Sequence, residues 1–169
     1  MLKRWFTRLL LASLVLSLLI LSPAPAQASL REMAEAPGQH LYQSRKSLRD
    51  STGHTWQVVF FKRVKADTVS ALHLRLVGFP GVTHFRHPAP LTIKADETVT
   101  LAAPDLLGQN NPGENVGEYD FQGLLSQLPA NNFWQLQLPL EDLEPTVLNV
   151  PYFLIQEWQK VAESPPSAR

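Results

Sequence analysis

Of the five histidines in the chain, His73, His84 and His87 fall in one short stretch, and His84 and His87 form an H-x-x-H pair. On a helix, residues three apart share a face, and two imidazoles there can chelate a metal or pass a proton. On a strand the odd step sends them to opposite faces. Pro80 and Pro88 bracket the pair and disfavour a helix across it. No carboxylate lies within the stretch to complete a ligand set, and two histidines alone rarely make a selective site. The spacing predicts histidines on the surface of strands and turns, with no metal bound. The remaining chemistry these rings could do is acid–base catalysis, with His84, His87 or Asp105 in a hydrolase or lyase. That requires a histidine within hydrogen-bond reach of a carboxylate inside a concave pocket.

A second candidate is the stretch from Ala103 to Asp120, rich in Asn, Gly and Pro and read as the longest loop. Asp105, Glu114, Glu118 and Asp120 line it, and Asn110, Asn111 and Asn115 add carbonyl oxygens. Calcium takes such ligands, but the acidic spacing and central glycine of an EF-hand loop are missing. Asp120 is expected to cap a helix, and Tyr119 to pack against that helix as a staple. Glu141 and Asp142 sit in an expected hairpin turn, where water keeps both ionised. The chain contains no G-x-S-x-G, H-E-x-x-H, P-loop or dinucleotide fingerprint. Without cysteine it has no thiolate cluster, no zinc-thiolate site, no thiol nucleophile and no disulfide. No cofactor is expected.

A third group is basic. Arg45, Lys46, Arg49, Lys62, Arg63, Lys65 and Arg75 gather where the first strands are expected. Alternation divides them between two faces, and Arg75 with some of its neighbours forms an outer patch suited to an acidic protein, a phosphate or an anionic headgroup. Such charges also keep a strand face soluble and discourage edge pairing. Gly78, Phe79, Pro80 and Gly81 follow directly. Pro80 presets the first central position of a turn and Gly81 tolerates the positive φ of the next. Phe79 either folds back on the core or projects as a docking tip.

These residues must be held by strands. Segments 41–50 and 54–65 are expected to pair as a hairpin around Gly53. In segment 69–77, Leu72, Leu74 and Leu76 point one way while His73, Arg75 and Val77 point the other, the mark of a strand with one buried face. Segments 91–95 and 98–103 form another hairpin, segment 133–140 alternates around Trp134, Leu136, Leu138 and Leu140, and segment 146–150 closes the series. Residues 29–38 read as a short amphipathic turn of helix ended by Pro37 and Gly38. Phe121, Leu124, Leu125 and Leu128 fall on one stripe of a mid-chain helix. A C-terminal helix starts at Pro151 and presents Leu154, Ile155, Trp158, Val161 and Ala162. The fold class is mainly β or α+β. It is an antiparallel sheet system of six to eight strands, either a curled sheet or a partly closed barrel, with a short mid-chain helix and a C-terminal amphipathic helix.

The amino terminus reads as a leader. Lys3, Arg4 and Arg8 precede an uncharged run from Leu9 to Leu21, and Ala26 and Ala28 occupy the small-residue positions of a cleavage site. The run of about 13 residues is short of the roughly 20 a spanning helix needs. Residues 1–28 are expected to be cleaved, 29–163 to form one β-rich domain and 164–169 to fray. The full chain carries 15 basic and 15 acidic residues. Losing the leader removes three bases and leaves a net charge of about −3, unlike a nucleic-acid binder.

The phrases EAPGQHLYQSRKSLRD, WQVVFFKR, LRLVGFPG, NVGEYDFQ and QEWQ occur in that order. Together they resemble a family of uncharacterised cyanobacterial exported proteins, catalogued as domain of unknown function 3122. The resemblance implies a single-domain exported protein in the periplasm or thylakoid lumen, and it brings no activity, cofactor or catalytic residue. The positions that carry it here include Arg45, Lys62, Arg75, Gly78 to Gly81, Asn115, Tyr119 and Asp120. The function expected is a non-enzymatic accessory or assembly factor that binds another exported or membrane-complex protein. It is expected to bind no nucleic acid and to keep no transmembrane anchor after cleavage. The alternatives are a lipocalin-like barrel for a small apolar ligand, which needs a hollow interior, and the hydrolase.

Overall fold

The computed structural model describes residues 31–108, 113–130, 133–141 and 145–165. The expected leader, Asn110 and Asn111, Asp142 and the last four residues lie outside them. The strands are β1 (Arg31–Ala36), β2 (Gln39–Arg49), β3 (Thr55–Lys65), β4 (Thr68–Val77), β5 (Leu91–Lys94), β6 (Thr100–Ala103), β7 (Val116–Asp120), β8 (Trp134–Leu138) and β9 (Thr146–Val150), followed by one helix, α1 (Tyr152–Glu163). They build two antiparallel sheets, one ordered β1-β2-β3-β4-β7 and the other β6-β5-β8-β9. Neither sheet closes into a barrel. The antiparallel β-rich class and the C-terminal helix are as the sequence implies.

Turn chemistry sets the long β2–β3–β4 meander. Gly53 has φ +92°, and the two-residue loop between β3 and β4 places Ala66 and Asp67 at φ 48° and 61°. Positive φ at both central positions matches the twist of the flanking strands. Asp tolerates this conformation and Ala is strained by it.

Three expectations fail. Residues 31–36 form an edge strand on β2, not a turn of helix. Glu, Met and Ala favour helix locally, but all six residues are exposed, so no apolar face docks such a helix. The ladder to β2 satisfies their backbone instead, after a turn in which Gly38 takes φ +70°. Part of the supposed loop from Ala103 to Asp120 is β7, the fifth strand of the first sheet. These two additions bring the strands to nine among the described residues. The mid-chain helix shrinks to a single 3-10 turn, Leu125–Gln127. Gly123 stands at φ +77°, which interrupts an α-helix begun at Phe121.

The two sheets and α1 share one apolar core. Val58, Phe60, Leu74 and Leu76 come from the first sheet, Leu91, Ile93, Trp134, Leu136 and Leu148 from the second, and Leu154, Ile155 and Trp158 from the helix. Phe60 and Trp158 stack, with centroids 5.0 Å apart and planes 15° from parallel. Leu72, Leu74, Leu76, Trp134 and Leu136 are all buried within this core. The interior is packed, and that packing removes the hollow a lipocalin-like carrier requires.

Candidate functional site

The first sheet has a second side. Residues paired across antiparallel strands share a face, so the register writes out the outer surface row by row. Arg31, Gln43, Phe61, His73 and Asp120 form one row; Arg45, Val59, Arg75 and Glu118 the next; Ser47, Gln57, Val77 and Val116 the third. Met33, Leu41 and Arg63 lie on the other flank of the first row. Leu41, Val59 and Phe61 make a small apolar cluster separate from the core, with Phe61 only 5% exposed. Covering it are the guanidinium groups of Arg63 and Arg75, each 5.6 Å from the centre of the Phe61 ring. This is the cation–π arrangement that arginine favours.

Carboxylates fix both arginines. Arg63 donates to Glu35 at 2.7 and 3.1 Å. Arg75 donates to Glu118 through Nε at 2.8 Å and pairs with it through a second nitrogen at 2.6 Å. Glu118 is also 2.8 Å from Nδ1 of His73. Burial pushes the Glu118 carboxyl up, but the bonds from His73 and Arg75 outweigh it and hold the group below its ordinary value. The face thus carries forks of fixed geometry over an apolar floor.

Arg75 lies on this face, as its alternation in β4 implies, and the register puts Arg45 in the same row. Lys62 is not on this face. It occupies the opposite face of β3, buried beneath the C-terminal end of α1, where Nζ donates to the carbonyls of Ala162 and Ser164, each at 2.7 Å. A lysine there satisfies orphan helix carbonyls and meets the negative end of the helix dipole. Burial pulls its pKa down. Ser164, expected in the fraying tail, is itself buried by this contact. Lys46 also turns inward, 3.6 Å from the buried Glu157.

The Gly78–Gly81 corner lies elsewhere. The amides of Val82 and Thr83 donate to the Phe79 carbonyl, and Gly81 takes φ +73°, as a turn with Pro80 at its first central position requires. A Cβ on Gly78 would collide with Thr83. Asn115 clasps Gly78 both ways: its carbonyl accepts the Gly78 amide at 2.9 Å and its side-chain amide donates to the Gly78 carbonyl at 2.9 Å. Asn115 is therefore a fastener. Phe79 is 71% exposed. With Val82 it lines a groove of about 540 Å³ shared with Asp50, His54, Trp56 and Leu140, apart from the groove that Arg75 lines.

The acidic residues of the 103–120 stretch disperse. Glu114 reaches His84 at 3.4 Å, Glu118 is on the outer face, and Asp120 accepts the amide of Gln122 at 2.8 Å at the end of β7. Among the described residues no group of three or more His, Cys, Asp or Glu side chains could hold a metal ion. His84 and His87 do not converge, because each has its own carboxylate. His87 Nδ1 is 2.6 Å from Asp105, with the two side chains 9% and 2% exposed. This meets half the geometric condition for a hydrolase. The other half, a concave pocket around the pair, is not seen among the described residues: both side chains are largely buried, with the Phe85 ring beside the imidazole, so His87 is not the surface histidine the spacing implies.

Tyr119 is no staple. It points into the core, fully buried, beside Phe85 and packed against Gly117, where a Cβ would collide with the phenol oxygen. Burial, with the charge of Asp105 adding to it, pushes the phenol far up. Its hydroxyl has no hydrogen-bond partner among the described residues. Removing a buried, unsatisfied hydroxyl should be favourable, so Tyr119→Phe is expected to gain about 1 kcal/mol of stability. Urea unfolding checks this, and a loss would place a hidden partner at that oxygen.

Fold and face together define a two-sheet β protein with an arginine-roofed outer surface. The chain belongs to the family described as Protein of unknown function (DUF3122), whose profile matches residues 28–161. A search of the curated proteins and a search of the solved structures give no match.

Proposed function

We propose that this is an exported, non-enzymatic protein that docks on another protein through the outer face of β1–β4, as an accessory or assembly factor in the periplasm or thylakoid lumen. Export is supported by the leader pattern of residues 1–28 and by a family match that begins at residue 28, where that pattern ends. The observation that carries docking is the second apolar cluster. Leu41, Val59 and Phe61 lie on the side of the sheet away from the core, under arginines held by Glu35 and Glu118. Arginine and aromatic residues are what dominate protein interfaces.

Affinity capture from exported fractions tests the reading by comparing the unaltered chain with a variant carrying Arg45→Glu and Gln57→Glu. Both positions are exposed on this face, and neither belongs to the Arg75–Glu118 pair. The unaltered chain should retain a discrete protein that the variant loses. Equal retention by both would remove the docking face.

A further inference from the structure

The docking reading leaves the partner's chemistry open, and the shape of the face restricts it. Arg31, Met33, Gln43 and Arg45 bound a groove of about 470 Å³. Met33, Gln43 and Arg45 also line a second groove of about 290 Å³, which continues over Leu41, Val59 and Phe61 to Arg63 and Arg75. The two make one trough across four strands.

Resting on the docking reading, we propose that the trough takes an extended acidic segment of a partner protein whose sheet-facing side chains, at every second residue, alternate between carboxylates and apolar groups. Charge is the first argument. By register, Arg31, Arg45, Arg49, Arg63, Lys65 and Arg75 face outward, against Glu118 and Asp120 and against Glu35, which Arg63 binds. The face has an excess of positive charge although the whole chain has a formal net charge of +0. Spacing is the second. Arg31 pairs with Gln43, so Arg45 is its diagonal neighbour on the same face, roughly 7–8 Å away. Two long guanidinium side chains at that separation reach a common carboxylate. The floor is the third. Val59 lies between Arg45 and Arg75 in one row, so an apolar strip runs between cations. An extended peptide presents every second side chain to such a floor, about 7 Å apart.

A lipid surface fits less well. Phe61 and Val59 are recessed beneath the charges, and the strongly exposed Phe79 and Phe153 belong to the corner and the helix. A bilayer meeting this face would find guanidinium groups and no protruding aromatic anchor.

The test is fluorescence anisotropy on the full chain with a labelled Glu-Ser-Leu-Ser-Glu-Ser-Phe-Ser-Glu peptide, which puts Glu, Leu and Phe on one face when extended, the same peptide with Lys for Glu, and vesicles containing phosphatidylglycerol. The acidic peptide should bind saturably and weaken with salt. Arg31→Glu with Arg45→Glu should weaken it by about tenfold or more, and the milder Arg31→Gln with Arg45→Gln should weaken it less. Equal binding of the lysine peptide, insensitivity to the double reversal, or binding to vesicles without binding to the peptide would each overturn the inference. If no acidic peptide binds while capture still depends on Arg45 and Gln57, the acidic segment is rejected and the docking face stands. If both fail, both readings fall.

Discussion

Trp158→Ala should cost this protein about 3–5 kcal/mol of stability, the range for truncating a large aromatic side chain in a packed core. The indole joins the helix to both sheets. It stacks on Phe60 of β3 and lies 5.9 Å from Trp134 of β8, and it meets Phe121 edge-on at 6.4 Å. Removing it leaves a cavity where three elements converge, and none of them can collapse inward without breaking its own ladder or helix. The control is on the same helix. Phe153 is exposed, so Phe153→Ala should stay within about 0.5 kcal/mol. Chemical denaturation of the two variants decides the matter, and similar losses would mean that α1 does not dock as described.

Asp50→Ala should cost about 3 kcal/mol, because one buried carboxylate serves four donors at the β2–β3 turn. It accepts Trp56 Nε1 at 2.8 Å, the Thr52 amide at 2.9 Å, the Thr52 hydroxyl at 2.7 Å and the His54 amide at 2.9 Å. Alanine strands the indole N–H and loosens the turn together. Asp50→Asn keeps an acceptor oxygen and should cost less. Burial pushes the Asp50 carboxyl up, but the bonds from Trp56, Thr52 and His54 outweigh it and hold the group below its ordinary 3.8. A carboxyl with a depressed folded value adds stability that is complete above the unfolded value and disappears as pH falls through the folded one. The advantage of the native protein over Asp50→Asn should be flat above about pH 5 and shrink below about pH 4. Unfolding free energies measured across that range check the sign, and an advantage that grows in acid would contradict it.

The parity of β4 was readable residue by residue. Leu72, Leu74 and Leu76 go to the core and Arg75 to the outside, as two-residue alternation requires. The hairpin around Gly53 was readable from its turn residues. The outer rows were not. Arg45, Val59 and Arg75 meet only through a register fixed across three strands. Parity along one strand separates Lys62 from Arg63 without saying that a helix end waits over Lys62. Tyr119 was hidden because Asn, Gly and Pro around it imitate a loop, and β7 is held by its pairing with β4 more than by its own preference. In the mid-chain segment the apolar stripe was genuine, but Gly123 outweighed it. His87 and Asp105, far apart in the chain, gave no local sign of their pairing.

The docking face is tested most directly by replacing single residues with a photo-crosslinking amino acid in the cells that make the protein. Ser47 is exposed in an outer row of the first sheet, and Gln135 is exposed on β8 of the second. Irradiation should yield a discrete protein adduct from position 47 and none from position 135. An adduct from 135 alone, or none from 47, would contradict the account.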